Sequence, residues 1–221
     1  MNKEGKMAAR LGSRLIKVHP KILRLGNKSG KGIPLPRLLT QMDAYDWDLV
    51  EDIPIDEEEK RKRLRYFNEL INASMMELNG SILDLASGGI SLAYLYPEAV
   101  AVDNDPQKIK RLRKDRIKAI LADIESLPFE EKSFDYVVSI SPPQKLIILH
   151  TNGYVRFDVD QVYNKKIIDA ALKIARKKVL IASYHIALSP LYEHIIERRD
   201  TDKQYYVVYK ASNTLGCPDI F

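Results

Sequence analysis

Ser81-Ile82-Leu83-Asp84-Leu85-Ala86-Ser87-Gly88-Gly89-Ile90-Ser91 reads as a buried strand that ends on a carboxylate and runs into a tight turn of small residues. Small residues there let a ligand approach the backbone, and glycine accepts the positive φ that such turns often need. The next apolar run, Ala99-Val100-Ala101-Val102, ends on Asp103, with Asn104 and Asp105 behind it. An acidic residue closing the second strand of a βαβ unit can receive both hydroxyls of a ribose. Two strands, each closed by a carboxylate, therefore point to a nucleoside-binding α/β sheet.

Further along, Leu121-Ala-Asp123-Ile124-Glu-Ser-Leu-Pro-Phe129 and Ser133-Phe-Asp135-Tyr-Val-Val-Ser139 follow in order. Together with Asp84 to Gly89 and Val100 to Asp103, they resemble a class I S-adenosylmethionine-dependent methyltransferase over roughly residues 81–141. The resemblance implies a Rossmann-like, doubly wound, mostly parallel sheet of about six or seven strands, with S-adenosyl-L-methionine as cofactor. It implies that the loop of Asp84, Ala86, Ser87 and Gly88 holds the methionine end, and that Asp103, with Asn104, holds the nucleoside. It also implies that the Asp123 carboxylate accepts from the adenine amino group while the Ile124 amide donates to the ring; Ser139 on the fourth strand completes the set. The family's loop carries three alternating glycines; here Ala86, Gly88 and Ile90 take those places, and Ile90 keeps the following helix from packing closely.

Ser141-Pro142-Pro143-Gln144 follows the fourth strand. It is similar to the Asp/Asn/Ser-Pro-Pro-aromatic motif of methyltransferases acting on nucleobase amines or an amide nitrogen. Such an amine is a poor nucleophile, and hydrogen bonds to Ser141 Oγ and the Pro142 carbonyl would localise its lone pair and aim it. Those two residues are the catalytic candidates. Gln144 stands where the motif has an aromatic, so a proline-stiffened strand exit is the other reading.

A chain of 221 residues suffices for one α/β domain with an extension. The lone Cys217 excludes an internal disulfide and a cysteine-rich zinc site, and no apolar run is long enough for a membrane span. A cytoplasmic protein without membrane contact is expected. Residues 1–40 hold ten Lys or Arg against Glu4, a charge of +9, which leaves −4 for residues 41–221 of a chain whose net charge is +5. That divides the chain into a basic N-terminal extension and a mildly acidic methyltransferase domain.

Within the extension, Arg10, Arg14, Lys17, Lys21 and Arg24 recur at helical spacing beside Leu11, Leu15, Val18, Ile22 and Leu25, interrupted at Pro20. This stripe either meets nucleic-acid phosphates or docks its apolar side on the domain. Residues 26–36 read as a mobile linker, and Tyr45 and Trp47 either cover the cofactor or anchor their segment.

Asp56 caps a helix with Leu64, Phe67, Ile71, Met75 and Leu78 inward and Asn79-Gly80 at its end; Glu57, Glu58 and Glu59 pair with Arg61, Lys62 and Arg63. A helix after Asp105 carries many cations, read as a solvated face or a second phosphate-binding surface. The remaining expectations are a loop over 152–159, a helix over 161–176, a strand over 179–183 with Tyr184 and His185 at its end, a helix from 189 to about 199, and a last strand over 204–210. A small-molecule acceptor, suggested by residues 127–135, and a non-catalytic cofactor-binding protein are the other functional readings. A nicotinamide-binding Rossmann protein is a further one, in which Asp123 and residues 127–129 would have no role.

Overall fold

The structure, a computed structural model, describes residues 32–52, 54–140, 146–151, 154–159, 161–183, 194–199 and 205–210. The amphipathic stripe of the arm, Ser141, Pro142, Gln144, Tyr184 and His185 lie outside the described residues. The strands are β1 (Ile82–Leu85), β2 (Val100–Asp103), β3 (Ala119–Leu121), β4 (Phe134–Ile140), β5 (Leu146–Thr151), β6 (Tyr154–Val159), β7 (Ala175–Ser183), β8 (His194–Arg199) and β9 (Tyr205–Lys210). The helices are α1 (Leu35–Asp43), α2 (Glu57–Ala73), α3 (Pro106–Lys114) and α4 (Gln161–Ile174).

Seven strands form one sheet in the order β3-β2-β1-β4-β7-β9-β8. The first five are parallel, and β9 runs antiparallel between β7 and β8. The chain moves outward from β1 through β2 to β3, then returns to place β4 on the other side of β1. That reversal opens a crevice beyond the carboxyl ends of β1 and β4, where ligands of open α/β sheets bind.

Side chains alternate between two apolar layers. Leu83, Val102, Val137 and Val179 face a layer with Leu38, Met42, Ile109, Leu112, Ile168 and Ala171 from α1, α3 and α4. Ile82, Val138 and Leu180 face Phe67, Leu70 and Ile71 of α2.

Several expectations are corrected. The crossover from β1 to β2 contains no full helix, only a 3-10 turn at Leu92–Tyr94, and α2 fills the face above it. Ile90 therefore has no following helix to keep away. Helix α2 stops at Ala73, short of Asn79-Gly80; Met75 takes φ 52° and is 71% exposed, so it is not a core position. Residues 154–159 are a strand paired with β5, not a loop, and residues 194–199 are a strand, not the end of a helix. Two strands therefore follow β7, and the far edge of the sheet is not reduced.

The end of the linker is docked. Ile33 bridges Phe129, its amide donates to the Pro128 carbonyl at 2.6 Å, and α1 begins two residues later with Pro36 in its first turn. The boundary suggested at residue 40 falls within this helix. Gly32 lies so close to the backbone of Phe129 and Glu130 that a Cβ would sit 2.1 Å from it. Phe129 in turn meets Phe134 edge to face at 5.2 Å, so the Leu-Pro-Phe stretch has a packing role.

Three cations of α3 are engaged by the protein itself rather than forming a bare solvated face. Arg113 pairs with Asp43, Lys114 pairs with Asp52, and Lys110 donates to the Val50 carbonyl. Trp47 donates to the Met42 carbonyl at 2.8 Å and stacks near Tyr45, with Arg113 over its ring. Of the two readings for these aromatics, anchoring is the one observed. No helix among the described residues is long and apolar enough to cross a membrane.

Candidate functional site

The crevice at the carboxyl ends of β1 and β4 holds a cavity of about 260 Å³. Its floor is the backbone turn from Ala86 to Gly88, which doubles back because Ala86 and Gly88 take φ 58° and 67°. The Ser87 amide donates to the Val102 carbonyl at 2.9 Å, tying the turn to β2. Gly88 has nothing within 4 Å of where a Cβ would stand, so its need is conformational. Ala86 carries the same strain without glycine's freedom. Ala86→Gly is expected to raise stability by about 0.5 to 1 kcal/mol in denaturant unfolding, the strain released less the added unfolded-state entropy.

Asp84 does not line this cavity. It is 3% exposed, and its Oδ2 accepts from the Ser91 hydroxyl at 2.6 Å and from the Leu92 amide at 2.7 Å. Those bonds close the loop from behind, and Ser91 Oγ accepts in turn from the Ala93 amide at 3.0 Å, starting the 3-10 turn. Burial pushes the Asp84 carboxyl up to about 6, against the pull of the Ser91 and Leu92 bonds and of the Arg63 charge.

Asp103 is the central polar group of the cavity. It is 7% exposed; Oδ2 accepts from the Gly88 amide and Oδ1 from the Asp105 amide, each at 2.9 Å. A carboxylate offers about four lone-pair positions, so two backbone bonds orient it and leave capacity for the two hydroxyls of a ribose. Lys108, on the first turn of α3, holds its Nζ 3.7 Å from Asp103 Oδ1 and from Asp105 Oδ2. Asn104 lies beside Asp103, and Ala122 and Ile124 wall an apolar slot suited to a flat purine.

The other candidates divide. Asp123 caps the 3-10 turn at Ile124–Ser126 by accepting from the Glu125 amide at 2.9 Å and is absent from the cavity lining, whereas Ile124 is part of it. Ser139 is fully buried and donates to the Leu85 carbonyl at 2.8 Å, joining β4 to β1 beneath the crevice. Ile140 lines the cavity, and Ser141 is its neighbour in sequence.

Arg63 was not legible as a site residue. Of the three expected pairs on α2, Lys62 meets Glu58 at 2.7 Å and Arg61 donates to the Glu57 backbone carbonyl. Arg63 instead crosses to the Ile140 carbonyl at 3.3 Å, lies over the Phe67 ring and enters the cavity. No local signal marks it, because its role depends on where α2 docks. Lys108 had a signal: it stands five residues after Asp103 on a helix whose Asp105 cap and Pro106 start fix which turn faces back.

The family model for a methyltransferase domain matches residues 83–142. No curated protein matches the chain. Similar solved structures include a SAM-dependent methyltransferase of Thermotoga maritima, at 11% identity over 68% of this chain and 90% of that one, TM-score 0.48. Another is an rRNA methyltransferase of Streptomyces viridochromogenes, at 10% identity over 73% of this chain and 86% of that one, TM-score 0.43. A third is an amino pentose methyltransferase of Micromonospora echinaspora with bound SAM, at 13% identity over 67% of each chain, TM-score 0.40. The matched residues run from the second residue of β1 to just past β4 and include most of the cavity lining, so the stretch that builds the cavity is the stretch that is similar to a methyltransferase domain.

Proposed function

We propose that the chain transfers a methyl group from S-adenosylmethionine to a nitrogen or oxygen of a nucleic acid, or of a protein associated with one. The observation that carries the choice of acceptor is the charge division, +9 in residues 1–40 against −4 in the remainder. A basic extension on an acidic domain draws a polyanion to the one while the other stays free of it.

The residues fit the cofactor. Asp103 would receive the ribose hydroxyls, Ala122 and Ile124 would flank the adenine, and the backbone from Ala86 to Gly88 would hold the methionine end. Arg63, which enters the same cavity, would pair with the cofactor's carboxylate. When bound, the cofactor supplies an electrophilic methyl on a sulfonium. What the protein adds is alignment, because in-line transfer needs orientation more than proton movement. By the resemblance of their motif, Ser141 Oγ and the Pro142 carbonyl would accept from an acceptor amine. A small-molecule acceptor is the second reading, favoured by the likeness of residues 127–135 to that branch of the family.

The test uses labelled methyl donor with total RNA and with a small-metabolite pool. The comparison is between the wild type and a full-length variant in which Arg10, Arg14, Lys17, Lys21 and Arg24 are all Gln. Label is expected in RNA, falling at least tenfold in the variant, with a shallower dependence of RNA binding on salt and unchanged binding of S-adenosylhomocysteine. Label only in small molecules, or no difference between the proteins, overturns the nucleic-acid reading. Cofactor binding with no label anywhere makes the chain a non-catalytic binder.

A further inference from the structure

A second cavity, of about 370 Å³, lies on the other side of the Gly88 turn and shares Arg63, Ser87, Gly88 and Lys108 with the first. Its walls are the strap at Pro54 and Ile55, the loop from Gly88 to Ile90, and the first two turns of α3 at Gln107, Lys108 and Arg111. Ile55 Cδ1 comes within 3.4 Å of where a Gly89 Cβ would stand, so strap and loop touch at one edge. The strap is held in place by the bonds of Lys110 to Val50 and of Lys114 to Asp52.

The lining is cationic. Arg63, Lys108 and Arg111 converge on it against a single carboxylate among the described residues, Glu59. Arg111 is braced by Asp115 at 3.8 Å and by Tyr94. The two carboxylates near Lys108 are at 3.7 Å, too far for charge-assisted hydrogen bonds, so its ammonium keeps donors for a ligand. Among the described residues the amides of Gly89 and Ile90 donate to no protein acceptor, although those of Ser87 and Gly88 do. Consecutive free amides on a doubled-back turn form an anion-binding concavity. With Arg63 taken by the cofactor's carboxylate, Lys108, Arg111 and two free amides remain for a second anionic group, and guanidinium groups favour the several oxygens of a phosphate.

We propose that this second cavity is a phosphate subsite for the acceptor, continuous with the cofactor cavity through Ser87 and Gly88. The inference rests on the methyltransferase reading above and narrows its substrate to a phosphate-bearing acceptor. A nucleic-acid backbone and a free phosphomonoester share that chemistry.

The test follows backbone amide resonances of the full chain during titration with inorganic pyrophosphate, then with a short single-stranded oligoribonucleotide, ribose 5-phosphate and malonate. Saturable shifts are expected at Gly88, Gly89, Ile90 and Gln107, without shifts at Ala122. Gln107→Glu, which places a carboxylate in the cavity at a helix start that tolerates one, is expected to weaken pyrophosphate at least tenfold while S-adenosylhomocysteine binds within twofold of wild type. Arg111→Gln is expected to weaken it similarly, and Gln107→Glu keeps the test valid if losing the Asp115 brace unfolds that variant. Competition by the oligoribonucleotide assigns the phosphate to a nucleic acid; competition by ribose 5-phosphate alone assigns it to a small acceptor. Absence of localised shifts, equal binding of malonate, or indifference to Gln107→Glu overturns the subsite. If S-adenosylhomocysteine binds and pyrophosphate does not, the subsite fails while the cofactor reading stands.

Discussion

Asp103→Ala is expected to weaken S-adenosylhomocysteine binding by about 30- to 1,000-fold, the equivalent of about 2 to 4 kcal/mol in two charge-assisted hydrogen bonds. The carboxylate is 7% exposed and held by the Gly88 and Asp105 amides, so no rearrangement is needed before it receives a ribose. Alanine removes the ligand's acceptor and also the partner of the Gly88 amide, so the turn itself loosens. Asp103→Asn separates the two effects. Its single carbonyl oxygen can still hold one of those amides, and binding should fall between wild type and alanine. Isothermal titration of the three proteins reads this directly. Unchanged affinity in the alanine variant would remove Asp103 from the site and, with it, the placement of the nucleoside.

The second large effect is on stability against pH. The Asp84 carboxyl sits at about 6 in the folded chain against an ordinary value of 3.8. The folded state therefore holds a proton that the unfolded state has released in this window. Its contribution is fully present below about pH 4 and is lost as pH rises through 6, an expected fall of about 3 kcal/mol. Asp84→Asn should flatten that part of the profile. Its amide oxygen can take over the bonds from Ser91 and Leu92 without burying a charge, so the variant is expected to be about 1 to 2 kcal/mol more stable than wild type at pH 7.5. Urea unfolding from pH 4 to 8 tests both statements. A flat wild-type profile, or a variant less stable at pH 7.5, would show that the carboxylate is better solvated by its neighbours than its burial implies.

The parts of the molecule that were legible in sequence are those whose signals are local. Phe134 to Ile140 reads as a strand and is one, because a short stretch dominated by aromatic and β-branched residues favours that geometry. The place of Asp103 at the end of β2 is legible because a carboxylate closing a strand is visible without knowing what lies beside it. Residues 154–159 were misread although Asn152-Gly153 stands between two β-rich runs, the common signature of a hairpin; the acidic and aromatic mixture of that stretch obscured it. His194 to Arg199 has helix-compatible charges, and only pairing with β9 makes it a strand. The positions of Asp84 and Ser139 suggest ligand contacts, yet both face inward and hold the loop and the sheet together. Arg63 was invisible for the opposite reason, since its neighbours on α2 suggest an ordinary surface pair and only the docked helix carries it to Ile140.

The placement of β9 has a consequence for how the molecule is made. Because this strand lies between β7 and β8, and its Val208 and Tyr209 are buried, the sheet cannot close during synthesis until residues 205–210 have emerged. Until then β7 is an open edge nine residues long, and β8 lacks the strand that it pairs with in the finished sheet. A nascent or prematurely terminated chain thus displays a long, apolar template for pairing with other chains, and it is in that interval, rather than in the finished protein, that aggregation and a need for chaperones should be greatest.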